Sequence, residues 1–256
     1  MSIAPCHFAW YELMTPDPIA ASTFYNAVVG WQSRDAGMPD MAYTLLSAAG
    51  VDVAGVMELP REAVQQGIPP CWTGYIAAPD VDAHVAKLTA AGGTVHRRAE
   101  DIPGVGRFAV VADPQGAVFI LFAPAGGMTR PPVAPYTPGH VGWHELHAGD
   151  GASAFAFYSA LFGWTKVSAV DMGPMGVYQT FGAGEPAFGG MMTKPSGAPG
   201  PCWRYYFTVG SVKAAIIRAT NGGGQVVHGP MEVPGGGWIA NCIDPQGAAF
   251  SLTGPA

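Results

Sequence analysis

The sequence predicts an α+β fold made of two tandem copies of one unit. Three observations carry this. Short motifs recur in the same order at nearly constant offset. Gly (36) and Pro (24) are plentiful while only 12% of residues are charged. Apolar stretches of strand length alternate with segments that read as capped helices.

The repeat is read from Trp10-Tyr11-Glu12-Leu13 against Trp143-His144-Glu145-Leu146, Phe24-Tyr25 against Phe157-Tyr158, and Gly30-Trp31 against Gly163-Trp164. All three share one offset, 133 residues (10 to 143). Further on, Pro70-Cys71-Trp72 matches Pro201-Cys202-Trp203, and Asp113-Pro114-Gln115-Gly116 matches Asp244-Pro245-Gln246-Gly247, where the offset is 131 (113 to 244). The expected organisation is domain 1 over residues 1–123, a proline-rich linker over 124–139, and domain 2 over 140–256. Proline fixes φ and removes a donor, so the linker is expected to be extended and semi-rigid.

In copy one, His7 to Met14 suits a strand. Thr15-Pro16-Asp17-Pro18 opens a helix that runs to about Val29 and stops at Gly30. Strands are expected near Tyr43–Ala48, Val51–Leu59 and Trp72–Ala78. Asp80 or Asp82 opens a second helix to Ala91, stopped by Gly92-Gly93. Strands follow near Thr94–Arg97, Arg107–Ala112 and Val118–Phe122, the last two joined by the Asp113–Gly116 turn. Copy two repeats the order, with strands at 140–147, 177–181, 187–193, 203–209, 225–228, 237–243 and 248–253 and helices at 151–162 and 211–221. Each copy thus reads as two βαβββ-like halves.

Net charge is −6 and no run of Lys or Arg occurs, which argues against nucleic acid and anionic membranes as partners. No apolar run is long enough to span a membrane, and no basic-then-apolar leader opens the chain. A cytoplasmic protein is expected. The four cysteines, Cys6, Cys71, Cys202 and Cys242, show no C-x-x-C spacing.

Three stretches carry a family resemblance: Trp10…Asp17…Phe24-Tyr25…Gly30-Trp31; Trp72…Asp80-Val81-Asp82-Ala83…Ala91-Gly92-Gly93; and Val105 to Phe119 with its counterpart Gly236 to Gly247. On these the chain resembles the vicinal oxygen chelate superfamily of glyoxalases, bleomycin-resistance proteins and extradiol dioxygenases. The resemblance implies paired βαβββ modules, each pair curling a mixed sheet around a cleft. It also implies a divalent ion held by His and Glu from the first and last strands of each half. Carried over residue by residue, those positions fall on Trp10 and Trp143, on Ile120 and Ser251, and near Gly55–Met57, Gly74–Ile76, Gly189–Met191 and Tyr205–Phe207. Glu58 enters if the register slips. Trp and Ile cannot ligate such an ion, so no metal and no other cofactor is expected.

Strand alternation groups Trp10, Glu12 and Met14 on one face and Trp143, Glu145 and His147 on another. Glu12, Glu145 and His147 are the candidate catalytic residues, a carboxylate beside an indole being able to act as general base or to bind a cation. The competing reading is a structural role, in which each Glu pairs with a buried Arg or a backbone donor to hold the fold. His144 and His147 point to opposite faces, so they do not chelate together. Trp10, Trp72, Tyr75, Phe108, Trp143, Trp203, Tyr205, Trp238 and Ser251 are the candidate ligand-binding residues, since aromatic walls stack flat or cationic ligands.

Three functions remain. The first is a metal-independent binder of a small, partly aromatic molecule. The second is a glyoxalase-like lyase, isomerase or hydrolase using a cleft Glu as base. The third is a protein-interaction module. The tandem copies can form alone the pair that single-domain relatives build by dimerising, so a monomer is expected.

Overall fold

The structure is a computed structural model that describes residues 7–38, 41–126 and 133–256. Cys6 and the middle of the proline-rich linker, with Pro131 and Pro132, lie outside the described residues.

Copy one contains β1 (Phe8–Thr15), α1 (Pro18–Val29), β2 (Gln32–Asp35), β3 (Tyr43–Ala48), β4 (Val51–Glu58), α2 (Arg61–Gln65), β5 (Cys71–Ala77), α3 (Val81–Ala90), β6 (Thr94–Ile102), β7 (Gly106–Ala112) and β8 (Val118–Pro124). Copy two contains β9 (Val141–Ala148), α4 (Gly151–Phe162), β10 (Thr165–Asp171), β11 (Val177–Gly182), β12 (Gly189–Thr193), β13 (Cys202–Thr208), α5 (Val212–Asn221), β14 (Gln225–Glu232), β15 (Trp238–Ile243) and β16 (Ala249–Gly254).

The strands form two eight-stranded sheets, ordered β2-β3-β4-β1-β5-β8-β7-β6 and β10-β11-β12-β9-β13-β16-β15-β14. The second order is the first with every strand moved on by eight, so the duplication seen in sequence is a duplication of topology. Each sheet mixes parallel and antiparallel pairs. β1 runs parallel to β4, which turns back antiparallel to β3. The α+β class and the βαβββ halves are as the sequence implies.

The helix ends follow the local chemistry. Asp17 caps α1 by accepting from the amides of Ile19 and Ala20, and Pro18 begins the helix where a missing N–H costs nothing. Gly30 ends it in the left-handed region at φ 91°. Asp150 and Gly163 do the same for α4, and Asp80 rather than Asp82 caps α3.

The described residues pack as two compact units, and neither is one copy. One holds the described part of Met1–Ala9 and Thr73–Pro132 with His144–Trp203. The other holds Trp10–Trp72, Val133–Trp143 and Arg204–Ala256. Each unit therefore joins half of one copy to half of the other.

The repeated motifs make those joins. In the second unit, the Tyr25 hydroxyl donates to Asp244 Oδ2 at 3.0 Å and accepts from Trp72 Nε1 at 2.9 Å. In the first, the Tyr158 hydroxyl donates to Asp113 Oδ2 at 3.2 Å and accepts from Trp203 Nε1 at 3.0 Å. The other oxygen of each aspartate closes its own turn, Asp113 Oδ1 accepting from the amides of Gln115 and Ala117. The glutamine of each motif then clamps a helix cap. Gln115 Oε1 accepts from Asp150 N at 2.7 Å while its Nε2 donates to Asp150 O at 3.0 Å, and Gln246 does the same with Asp17 at 2.7 and 2.9 Å. The Asp-Pro-Gln-Gly motif is thus a joint between copies.

Candidate functional site

The two duplicated glutamates sit at matching places. Glu12 on β1 is opposite Gly55 on β4, and Glu145 on β9 is opposite Gly190 on β12. Both glutamates are buried. Each facing position is glycine for a steric reason. A Cβ on Gly55 would strike the phenol of Tyr43, and a Cβ on Gly190 would strike the ring of Tyr178. A tyrosine from the third strand therefore lies across the glycine beside each glutamate.

In copy one these residues form a chain. Trp10 Nε1 donates to the Tyr43 hydroxyl at 2.9 Å, and that hydroxyl donates to Glu12 Oε2 at 3.0 Å. Trp10 and Glu12 reach the same phenol, so they share a face of β1, as alternation predicts. Burial, and then the charge of Glu12, push the Tyr43 pKa far above its usual range. The phenol stays protonated and remains a donor.

In copy two the position of Met14 is taken by His147, whose Nε2 lies 2.8 Å from Glu145 Oε2. The side chains are 21% and 11% exposed, so the imidazole reaches solvent more than its carboxylate does. His144 points the other way. It is buried, stacks on Phe8 with centroids 4.1 Å apart, and places Nδ1 2.8 Å from the Phe188 carbonyl. Burial lowers its pKa to about 4, so it is neutral at ordinary pH.

The remaining predicted residues are dispersed. Trp72 and Trp203 are buried donors to Tyr25 and Tyr158. Tyr205 is buried edge-on to Tyr11, and Tyr75 edge-on to Phe122. Phe108 is buried beneath the Arg97 guanidinium, and Lys213 lies over the Trp238 ring at 4.7 Å. Ser251 is buried and donates to Asn241 Oδ1 at 2.8 Å. Trp143 is half-buried on β9. Tyr43 and Tyr178 were not singled out by sequence. The signal available was the tyrosine of each third strand with its glycine on the fourth.

The fit to a divalent ion can be judged from these groups. Among the described residues no three His, Cys, Asp or Glu side chains come together. Ile120 is buried opposite Tyr75. Glu58 lies at the exposed end of β4 opposite Thr15, beyond the partner of Glu12. The oxygen that touches Glu12 is a phenol holding its proton, which makes it a poor ligand. At the positions to which the resemblance points, the described residues bring no such set of ligands together.

The comparisons with known proteins bear on the family. A glyoxalase-like domain model matches residues 10–122, and the glyoxalase/bleomycin resistance protein/dioxygenase superfamily model matches 137–252. The protein named Putative glyoxylase CFP32 from Mycobacterium tuberculosis (strain CDC 1551 / Oshkosh) is 35% identical over 96% of this chain and 94% of its own. The chain belongs to the glyoxalase/bleomycin resistance protein/dioxygenase superfamily. Anthracycline biosynthesis protein DauV from Streptomyces sp. (strain C5) is another superfamily relative, 34% identical over 97% of this chain and 93% of its own. Among solved structures, the Mn(II)-bound glyoxalase from Novosphingobium aromaticivorans superposes with a TM-score of 0.63 at 17% identity, covering 98% of this chain and 82% of its own. The 2,3-dioxygenase LapB from Pseudomonas sp. KL28 gives 0.64 at 14%, covering 98% and 92%. At such identities these two structures speak to the superfamily fold alone. No helix among the described residues is long and apolar enough to cross a membrane.

Proposed function

We propose that the chain binds a small, partly aromatic molecule without a divalent ion, as a monomer. The observation that carries this reading is the Glu145–His147 pair, a built and partly accessible polar group on a face whose copy-one equivalent ends in Met14. The protonated Tyr43 phenol on Glu12 and the scattered acidic groups support an ion-free site. The name of the anthracycline biosynthesis relatives makes planar, oxygenated aromatics the first ligands to try. A second reading is an enzyme, a lyase, isomerase or hydrolase. The imidazole held on a carboxylate favours it, because that arrangement serves general acid–base chemistry.

The test is quenching of tryptophan fluorescence by hydroxyanthraquinones after treatment with a chelator, with and without added Mn²⁺. Saturable quenching that the chelator leaves unchanged is expected. Binding that vanishes on chelation and returns with the ion would overturn the reading. Mass spectrometry of the recovered ligand separates binder from enzyme.

A further inference from the structure

We infer that His147, oriented by Glu145, selects a ligand that presents a hydroxyl hydrogen to its Nδ1. The inference deepens the reading above and rests on it. A carboxylate only accepts, so an imidazole that bonds Glu145 Oε2 holds a proton on Nε2, and the tautomer selected by that bond leaves Nδ1 bare. Its Nδ1 is then a lone-pair acceptor. That atom has no hydrogen-bond partner among the described residues, and the side chain is 21% exposed. An acceptor fixed in direction at a partly dry surface favours a donor and penalises a group that cannot donate.

The surroundings hold the imidazole in place. Glu145 is buried on β9 opposite Gly190, and the Tyr178 ring crosses that glycine. Met192 occupies the register position beside His147 and is itself buried. The face offers thioether and aromatic carbon next to one directed acceptor. A flat ring with a hydroxyl substituent matches both. Copy one has Met14 where copy two has His147, so the same selectivity is not built there. His147 is a specificity residue in this scheme, and Glu145 is its positioning residue.

The experiment compares matched probes, naphthol against methoxynaphthalene and hydroxyanthraquinone against methoxyanthraquinone, by fluorescence titration of the full chain. The wild type is expected to prefer the hydroxyl member by about tenfold or more, the worth of one directed hydrogen bond left unmade. His147→Met, which installs the residue of copy one, is expected to bring the two members within about twofold. Glu145→Ala, which frees the imidazole from its fixed orientation, is expected to shrink the preference in the same way. Equal binding of both members by the wild type, or a preference that survives in His147→Met, overturns the inference and leaves the aromatic-binder reading standing. Failure of the wild type to bind any probe overturns both.

Discussion

At the scale of single residues, the chain keeps several titratable groups in one state by burial. His144 is the clearest. Its folded pKa is about 4 against 6.5 for a free imidazole. The unfolded chain therefore binds a proton over that interval that the folded chain does not. The neutral-His contribution is complete above pH 6.5 and is lost as pH falls toward 4. It is worth about 3 kcal/mol over the interval. Urea titrations of wild type and His144→Phe at pH 7 and pH 4.5 should show a smaller acid loss in the variant. Tyr43 is shifted the other way, so its contribution is complete below pH 10 and lost as pH rises beyond it. Tyr43→Phe removes the hydroxyl that bonds both the Glu12 carboxylate and the Trp10 indole, and a loss of about 1–3 kcal/mol is expected at neutral pH. Chemical denaturation measures it, and an unchanged midpoint would show that the hydroxyl contributes nothing.

At the scale of elements, strands and helices differ in how openly the sequence announces them. The helix ends were legible because caps are local, and Asp17, Pro18 and Gly30 act within one turn. β2 (Gln-Ser-Arg-Asp) was not, because all four residues are exposed and no apolar alternation marks it. β10 is nearly as exposed, and both lie at sheet edges, where pairing is with the backbone of one neighbour only. The short helix α2 buries no side chain and so left no periodic trace. β6 runs on to Ile102, beyond the expected Arg97, through mostly exposed residues. For the site, alternation placed Trp10 with Glu12 and Glu145 with His147, whereas Tyr43 reaches Glu12 from another strand, a relation no local pattern contains. Trp72 and Trp203 show the converse, since an aromatic in sequence carries no mark of cleft or core. Gly55→Ala and Gly190→Ala test the third-strand tyrosines. Each new methyl must displace a ring, so a destabilisation of about 1–3 kcal/mol is expected, read as a fall in melting temperature.

At the scale of the whole molecule, what matters is that each packing unit draws on both copies. The buried tyrosines find their aspartates, and the glutamines their helix caps, only when both are present. Residues 1–132 expressed alone should therefore lack fixed tertiary structure, showing poor dispersion by NMR, and should recover it when mixed with residues 133–256. A well-dispersed spectrum from the first fragment alone would contradict this. Gln115→Ala removes three bonds between copies and Gln246→Ala two, and each should lower stability by about 1–2 kcal/mol.

The crossed packing also bears on how the two faces came to differ. If each half-copy came from a separate but identical chain, every substitution would appear twice, and an imidazole useful on one face would be imposed on its twin. Joining the copies in one chain ends that coupling. Position 147 can become histidine while position 14 stays methionine, and a symmetric ancestor gains two faces that selection can shape apart.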